Sequence, residues 1–178
     1  MKKLSIAIDG PAGAGKSSVS KILAARLGYA YLDTGAMYRA VTYEALERKL
    51  ERPENIVSMT EKLDMDVSEV SAIGGVRTAM VAIQRKQAEK GGIVLDGRDI
   101  GTTVLPKADV KIFLTASVHT RAVRRFKELT EGHPEMTMED VEKEISRRDY
   151  LDSHRDISPL KQAEDAVLLD NGDLTLEG

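Results

Sequence analysis

The sequence predicts an α/β protein: a doubly wound, mainly parallel sheet of about five strands with helices on both faces. Two features of the chain lead to this prediction. An apolar, strand-like run enters a glycine-rich loop, and a helical pattern leaves it. Short apolar runs then alternate with helical patterns along the chain, as they do in parallel sheets. The 178 residues, 42% of them hydrophobic and 31% charged, suit one globular domain.

The glycine-rich loop Gly10–Ser17 follows a predicted strand over Leu4–Asp9. It fits the phosphate-binding pattern G-x-x-x-x-G-K-S/T at every fixed position. Its glycines allow turns in which a Cβ would clash, so that successive N–H groups converge on phosphate oxygens. The helix that begins near Lys16 adds the positive end of its dipole at the same place. The loop therefore predicts a bound nucleoside triphosphate.

In a loop of this kind the lysine reaches the β- and γ-phosphates, and the hydroxyl that follows it holds Mg²⁺. Lys16 and Ser17 occupy these two places, so we expect Ser17 to be a metal ligand. The residues expected to hold the triphosphate are Gly10, Pro11, Ala12, Gly13, Ala14, Gly15, Lys16, Ser17 and Ser18.

The segment after the loop predicts a helix, a strand and a second helix. The first helix spans Ser17–Leu27 and ends at Gly28, and the short strand is Tyr29–Leu32. The apolar face expected for this helix is Val19, Ile22, Leu23 and Leu27. Thr34 is expected to cap the second helix with its hydroxyl, and that helix runs to about Lys49.

Two arginines lie near the edge of the sheet at which open α/β folds bind ligands. Arg39 is in the early turns of the second helix, and Arg77 lies beside the apolar stripe of a helical pattern over Ser68–Lys90. For both, a side chain in a cleft and an ordinary solvated one fit the spacing about equally. Gly74-Gly75 interrupts the later pattern, and a shorter helix is expected over Pro53–Leu63. The inward residues expected on the later pattern are Val76, Ala79, Met80, Ile83 and Gln87.

The run Ile93–Asp96 predicts a buried parallel strand that continues into a tight loop over Gly97–Thr102. This loop carries Arg98 and Asp99 between glycines, so we expect it to face the ligand crevice. The alternative is a turn with a surface ion pair. Val110–Thr115 predicts the next strand.

Two further helices and a strand complete the pattern. The first of these helices is expected to turn Val118, Ala122, Phe126 and Leu129 inward, with Arg121, Arg124 and Arg125 elsewhere on its surface. The second carries an apolar stripe that becomes charged at the same spacing: Met138, Val141, Ile145, Arg148, Asp152 and Arg155. Charge on an inward stripe is costly unless it is paired, which points to an anionic ligand in a cleft. An internal ladder of salt bridges is the alternative. Ala166–Asp170 predicts the last strand.

Composition argues against several classes of protein. A net charge of −3 and 4% aromatic residues do not suit a nucleic-acid partner. Because the chain has no cysteine, disulfides, zinc–thiolate sites and thiol catalysis are excluded, as suits a cytoplasmic protein. The apolar run after Met1 is too short for a signal peptide, and no run approaches transmembrane length. We expect no membrane partner.

Four segments carry a resemblance to a known family: I-D-G-P-A-G-A-G-K-S-S (Ile8–Ser18), L-D-T-G-A-M-Y-R (Leu32–Arg39), D-G-R-D-I-G-T (Asp96–Thr102) and R-D-Y-L-D-S-H-R-D-I-S-P-L (Arg148–Leu160). Through them the chain resembles the bacterial cytidylate kinases of the nucleoside monophosphate kinase superfamily. The segments cover nearly the whole length, and the last two are specific to this family among P-loop kinases. The resemblance implies phosphorylation of CMP and dCMP by ATP with Mg²⁺, in pyrimidine nucleotide metabolism, by a cytoplasmic monomer.

The resemblance also implies roles for individual residues. Arg39 and Arg98 would hold the acceptor phosphate, and Ser68, Arg77 and Asp99 would read the cytosine edge. Arg148 and Asp152 would contact the sugar and phosphates, and Arg155 would close over the transferring group. The residues implied to be catalytic are Lys16, Arg98, Arg148 and Arg155, and Thr34 joins the substrate-binding set.

The chain departs from the family pattern in three places. A small β-rich insertion between the equivalents of Met65 and Val67 is absent, Gly74-Gly75 replaces a segment with proline, and relatives continue past Gly178 into a final helix. We therefore expect one domain over 1–178, with a shortened monophosphate-binding segment at about 53–92 and a lid at about 117–158. Two other functions stay open. One is a P-loop kinase acting on UMP, AMP or a metabolite, and the other is an ATP-binding regulatory module without catalysis.

Overall fold

The computed structural model describes residues 2–47, 67–129 and 136–175. Its strands are β1 (Ser5–Asp9), β2 (Ala30–Asp33), β3 (Ile93–Gly97), β4 (Val110–Thr115) and β5 (Val167–Asp170). Its helices are α1 (Lys16–Leu27), α2 (Thr34–Glu47), α3 (Val67–Ala72), α4 (Gly74–Ala88), α5 (Val118–Leu129) and α6 (Met138–His154), with a π-helical turn at Ile100–Val104. The helix predicted over Pro53–Leu63 lies outside the described residues.

The five strands form one parallel sheet in the order β2-β3-β1-β4-β5. The central strand β1 pairs with β3 on one side and with β4 on the other, and Asp9 lies opposite Gly97. The segments that follow β1 and β3 therefore leave the sheet side by side at its carboxyl edge. The prediction of a doubly wound parallel sheet of five strands is confirmed.

Both faces of the sheet are covered. On one face Ala7 packs with Ala88 of α4, and on the other Ile8 and Val94 pack with Ala24 of α1. Burial on both faces explains why the run that forms β3 is apolar without alternation.

The face of α1 that meets the sheet differs from the prediction. Ser20 and Ala24 are buried, whereas Ile22 and Leu27 are 36% and 45% exposed. Val19 and Leu23 of the predicted face do pack against the core, although only partly buried. Small residues lie at the closest approach because the glycine-rich loop holds the start of α1 tightly against the strands.

The start of α2 also differs from the prediction. The Thr34 hydroxyl donates to the Asp96 carbonyl at 2.6 Å and does not cap the helix. Asp33 takes that role, since its Oδ1 accepts from the Ala36 N–H at 2.8 Å. Thr34 therefore ties α2 to β3, and the residue before it satisfies the free N–H of the first turn.

The buried face of α4 is rotated from the predicted one. Its buried residues are Val76, Arg77, Gln84 and Ala88, whereas Ala79, Ile83 and Gln87 are exposed. The rotation follows from two polar contacts that the apolar pattern does not contain: Arg77 enters the cleft described below, and Gln84 lies against Met37 of α2.

Helices α5 and α6 pack against each other as the stripe predicts. Ala122, Val141 and Ile145 are buried together, and Val118, Phe126 and Met138 pack against them. Leu129 lies where side chains are not described. α6 begins with a capping box in which Thr137 and Asp140 satisfy each other's backbone N–H groups. Within the described ranges, no helix is long and apolar enough to cross a membrane.

Candidate active site

One cleft of about 1110 Å³ opens at the carboxyl edge of the sheet. Its walls come from the phosphate loop (Gly10–Ser17), the start of α2, the loop after β3, and helices α5 and α6. We call Gly97–Asp99 the β3 loop. The predicted site residues that line the cleft are Ala12, Gly13, Ala14, Gly15, Lys16, Ser17, Ser18, Thr34, Arg39, Arg77, Arg98, Asp99, Arg148, Asp152 and Arg155.

Two other predicted residues lie outside this lining. Gly10 and Pro11 are buried behind the cleft at the base of the phosphate loop. Ser68 lies on α3, and its side chain is outside the described part of the chain. The predicted residues that line the cleft thus include Lys16 and Arg155, which are 139 positions apart in the chain.

The phosphate loop has the backbone that its glycines predict. Gly10, Gly13 and Gly15 have φ values of 152°, 72° and 83°. A Cβ on Gly10 would lie 2.0 Å from the carbonyl oxygen of Leu114, so only glycine fits there. Helix α1 begins directly after Gly15 and has no acidic residue in its first turn, which leaves the positive end of the helix to the loop. This is the geometry of an anion site.

Lys16 is buried in this loop, and its Nζ donates to the Pro11 carbonyl at 2.7 Å. Burial lowers the pKa of Lys16 well below its ordinary value, and the positive charge of Arg98 lowers it further. The carboxylates of Asp96 and Asp9 act in the opposite direction. An anion in the loop would stabilise the charged ammonium that burial now disfavours.

The Ser17 hydroxyl lies beside a carboxylate that sequence reasoning missed. Ser17 donates to Asp96 Oδ2 at 2.8 Å, and the Tyr31 hydroxyl donates to Asp96 Oδ1 at 3.0 Å. Burial raises the pKa of Asp96, and the hydrogen bond from Ser17 opposes this rise. A hydroxyl and a carboxylate next to a phosphate loop are the oxygen donors that suit Mg²⁺. The signal available in the sequence was an acid at the end of a buried strand.

Arg39 lies at the mouth of the cleft. Its guanidinium donates to Asp33 Oδ2 at 3.1 Å, and its side chain is 58% exposed. Thr34 is buried one turn earlier and holds the backbone of β3. The structure therefore places Arg39 at the cleft with its charge accessible, so the side chain lines the cleft and is solvated as well.

Arg77 and Arg155 share one carboxylate. Arg77 is ion-paired with Asp99 Oδ2 and also donates to the Ser71 carbonyl at 3.2 Å. Arg155 lies 3.6 Å from Asp99 Oδ1, and it donates to the Ser71 hydroxyl at 3.2 Å. Burial lowers the pKa of Arg155, and the nearby Asp99 opposes this shift. Ser71 was not predicted; it lies three residues after Ser68, on the buried side of α3.

A second ion pair joins the β3 loop to α6. Arg98 Nε donates to Asp152 Oδ2 at 2.7 Å, and the Asp152 carboxylate is buried. Arg148 lines the cleft one turn before Asp152. The charged end of the stripe therefore lines the cleft and forms ion pairs with the β3 loop. The salt-bridge alternative is thus seen, and the anionic ligand stays a prediction.

The arginines of α5 were expected on the surface of the helix, but Arg121 and Arg124 contact other parts of the protein. Arg121 is buried and donates to the Ala12 carbonyl at 2.9 Å, and it pairs with Asp149 of α6 at 2.7 Å. Arg124 donates to Asn171 Oδ1 at 3.0 Å, and the Asn171 side chain in turn donates to the Ala14 carbonyl at 2.9 Å. Through these contacts, Arg121 of α5 and Asn171, the residue after β5, hold two backbone carbonyls of the phosphate loop in place.

Comparison with known proteins shows which family the chain resembles. The model of the family described as Cytidylate kinase matches residues 6–65 and 53–178. The cytidylate kinase of Enterococcus faecalis is 50% identical over 208 residues, which cover 99% of this chain and 92% of that protein. The cytidylate kinase of Streptococcus pneumoniae is 47% identical over 209 residues, covering 99% and 94%. Because 208 positions are matched to a chain of 178, at least 30 of them face no residue here.

Solved structures of similar shape include two small-molecule kinases. The shikimate kinase of Bacteroides thetaiotaomicron has a TM-score of 0.56 at 16% identity, covering 98% of this chain and 89% of that chain. A gluconokinase of Sinorhizobium meliloti 1021 has a TM-score of 0.52 at 18% identity, covering 99% and 86%. At this identity the likeness shows the fold alone.

Proposed function

The chain belongs to the cytidylate kinase family, and from this premise we propose that it transfers the γ-phosphoryl group of ATP to CMP and dCMP, giving the diphosphates. The observation that carries the proposal is the single cleft in which a phosphate loop faces Arg77, Arg98, Asp99 and Asp152. A phosphoryl donor and an acceptor with a base can both be held there. Pyrimidine nucleotide metabolism is the corresponding role.

The phosphate loop and the start of α1 would bind the triphosphate of ATP. The loop amides and the helix end supply partial positive charge, and Lys16 supplies a full one. Binding would move the Lys16 ammonium from the Pro11 carbonyl to the β- and γ-phosphates. Ser17 and Asp96 would hold Mg²⁺, which neutralises phosphate charge when it is bound.

The acceptor would lie between α2, the β3 loop and α6. Arg39 and Arg98 suit its phosphate, because a guanidinium can bind two phosphate oxygens while it stays charged. Asp99 and Arg77 form a buried acceptor–donor pair that can meet the amino and carbonyl groups of a cytosine edge. Arg148 and Asp152 would contact the sugar and phosphates, with Ser68 and Thr34 as further members of this half.

Phosphoryl transfer needs two nucleotides held in line and the spreading negative charge stabilised. Lys16, Arg98, Arg148 and Arg155 would supply that stabilisation in a cleft that excludes water as it closes. The ion pairs keep Arg98 and Arg155 extended before substrate arrives, so little reorganisation is needed at the moment of transfer.

We propose further that residues 1–178 act as one domain, a monomer in the cytoplasm whose substrates are free nucleotides and not nucleic acid. In this organisation, α5 and α6 belong to a lid at about 117–158, and the segment at about 53–92 belongs to the monophosphate side. The contacts of Arg121 with the phosphate loop and with α6 support a lid that senses the donor site.

The test is a coupled assay with ATP, Mg²⁺ and each nucleoside monophosphate in turn, with a reaction lacking acceptor as the control. We expect turnover with CMP and dCMP well above that with UMP and AMP. Preference for UMP or AMP would contradict the assignment of the acceptor. ATP binding without transfer to any monophosphate would indicate a binding module and not a kinase.

A further inference from the structure

Asp9 is the last residue of β1 and directly precedes the phosphate loop. Its carboxylate is buried and accepts two hydrogen bonds from residues more than 90 positions away in the chain. The Ile100 N–H donates to Oδ1 and the Gly101 N–H donates to Oδ2, each at 2.7 Å. One side chain thus joins the strand that carries the phosphate loop to the residues after the β3 loop.

The two amides belong to the π-helical turn that fixes Asp99. The N–H groups of Thr103 and Val104 donate to the Asp99 carbonyl at 2.8 and 3.1 Å. The backbone of Asp99 is therefore held from one side by the turn, and the two peptide groups that follow it are held by Asp9. A shift of Asp9 would move Asp99 and, next to it, Arg98.

The contact is tight enough to restrict residue types around it. A Cβ on Gly101 would lie 3.3 Å from Asp9 Oδ2 and 3.1 Å from Cδ of Lys111. A side chain at position 101 would therefore press on the Asp9 carboxylate and on Lys111, so glycine suits this position.

We propose that Asp9 is a positioning residue that couples the two nucleotide sites, so that the placement of Arg98 and Asp99 relative to the phosphate loop depends on its carboxylate. This inference rests on the proposed function for its substrate. Asp9 does not line the cleft and would act through the backbone of Ile100 and Gly101.

The charges around Asp9 make this coupling sensitive to acid. Burial raises the pKa of Asp9 to about 6, and the two backbone N–H groups and Lys16 oppose the rise, while Asp99 adds to it. The Lys111 ammonium points elsewhere, to the Pro106 carbonyl and Asp165. Below about pH 6 the carboxyl gains a proton and can no longer accept equally from both amides.

The direction of the pKa shift of Asp9 distinguishes an effect of acid on residue placement from an effect of acid on the stability of the fold. Because the pKa of Asp9 is higher in the folded chain than its ordinary 3.8, protonation of Asp9 between these values favours the folded state. Acid should therefore weaken acceptor placement without unfolding the protein through this group.

The experiment compares wild type with Asp9→Asn, and Asp165→Asn serves as the control because it removes one carboxylate outside the cleft. The asparagine amide keeps one acceptor but turns an N–H donor toward a backbone N–H. We expect the KM for CMP to rise about tenfold or more, while ATP affinity measured by calorimetry changes less than about threefold. A folded Asp9→Asn protein with an unchanged KM for CMP would overturn the proposal.

The pH profile is the second readout. The acceptor phosphate also loses a charge near pH 6, so the quantity to measure is the ratio of kcat/KM for CMP between wild type and variant at each pH. We expect this ratio to fall toward one as the pH drops below about 6, because wild-type Asp9 then becomes neutral like asparagine. A ratio independent of pH would contradict the role of the ionised carboxylate.

A measurement on the wild type covers the case in which Asp9→Asn does not fold. Addition of ATP alone should slow amide hydrogen exchange at Ile100 and Gly101, since donor binding steadies the loop that follows Asp9. Unchanged exchange at both amides would overturn the coupling. This result does not depend on which acceptor the enzyme uses, whereas failure of wild type to phosphorylate CMP would count against the proposed function alone.

Discussion

At the scale of single residues, the cleft is an arrangement of cations held in place by buried acids. Arg77 and Arg155 meet Asp99, and Arg98 meets Asp152. Buried ion pairs contribute little net stability, because the desolvation of both charges offsets their attraction. Their value here is orientation, since a guanidinium fixed before substrate binds needs no reordering when negative charge develops.

Lys16 gives the most direct test of the phosphate loop. We expect Lys16→Ala to lower kcat by about 100-fold or more while ATP affinity falls less, because the ammonium is needed most where charge develops in the transition state. The measurement is steady-state kinetics together with ATP calorimetry and a melting curve. Lys21→Ala, an exposed lysine of the same helix, is the control. Near-normal turnover in a folded Lys16→Ala protein would refute the assignment of the loop.

Asp99 is the test of base selection. Its carboxylate can accept from the exocyclic amine of cytosine, whereas uracil presents a carbonyl at that place. We expect Asp99→Asn to reduce the CMP-to-UMP ratio of kcat/KM by about tenfold or more, since a buried polar mismatch discriminates strongly. Kinetics with both monophosphates measure the ratio.

The control for this prediction is Asp109→Asn, which removes a carboxylate paired with Lys2. A melting curve shows whether loss of the partner of Arg77 has unfolded the variant. If a folded Asp99→Asn enzyme keeps the wild-type ratio, another group reads the base.

At the scale of elements, the ends of helices were easier to predict than their buried faces. Gly28 ends α1 with φ 64°, and α4 begins at the interruption Gly74-Gly75. The buried faces of α1 and α4 were partly wrong because small and polar residues, Ser20 and Gln84, occupy the closest contacts. Apolar spacing detects a stripe, but a close contact between backbones selects small side chains instead.

The capping box of α6 supports a test at this scale. Thr137→Ala removes the hydroxyl that accepts from the Asp140 N–H, so we expect a loss of about 1 kcal/mol in the free energy of unfolding. In a protein of this size that lowers Tm by about 2–4 °C. Thr137→Ser keeps the hydroxyl and should melt within about 1 °C of wild type. Equal melting of the alanine and serine variants would show that the cap is dispensable.

The same cap predicts a dependence on pH. Hydrogen bonds from Thr137 lower the pKa of Asp140, so the stability they add is present above its ordinary pKa of 3.8 and is lost as the pH falls through the lowered value. The difference in Tm between wild type and Thr137→Ala should therefore shrink in strong acid. A difference that grows on acidification would contradict this account of Asp140.

At the scale of the whole molecule, the donor half and the acceptor half of the cleft are built from different parts of the chain. The donor half is built on β1, α1 and α5, where the phosphate loop is braced by Arg121 and Asn171. The sequence predicts that the acceptor half lacks the β-rich insertion of the family pattern between the equivalents of Met65 and Val67. The family match runs in two overlapping parts, residues 6–65 and 53–178, and at least 30 aligned positions of a relative have no counterpart in this chain.

From this asymmetry we expect ATP affinity like that of relatives, but a raised KM and a lowered kcat for CMP with weaker selection against UMP. Weaker binding of the acceptor would drive closure of the cleft less well. The KM for CMP should therefore rise and kcat should fall. Calorimetry with each nucleotide separately measures the difference, with the Enterococcus faecalis enzyme as reference.

Inserting the corresponding segment of that relative between Met65 and Val67 should restore CMP affinity. Family-like CMP binding by the unmodified chain would show that the segment is dispensable.

The sequence by itself determined the order of elements, the phosphate loop and fifteen of the residues that line the cleft. Glycine spacing and apolar runs are local signals, and the loop after β1 depends on backbone turns that only glycine allows at Gly10. The stripe from Met138 to Arg155 likewise follows from helical periodicity alone. These features needed no knowledge of distant parts of the chain.

The tertiary structure alone decided which groups meet across the sheet. Asp96 beside Ser17, Asp9 beneath Ile100 and Gly101, and Asn171 behind Ala14 join residues 79 to 157 positions apart. Each is a hydrogen bond between a side chain and a group whose position depends on strand order. No periodicity in the chain encodes such a pairing, because parallel strands bring residues together only after the crossovers have folded. The roles of the Asp96 and Asp9 carboxylates were therefore visible only in the folded molecule.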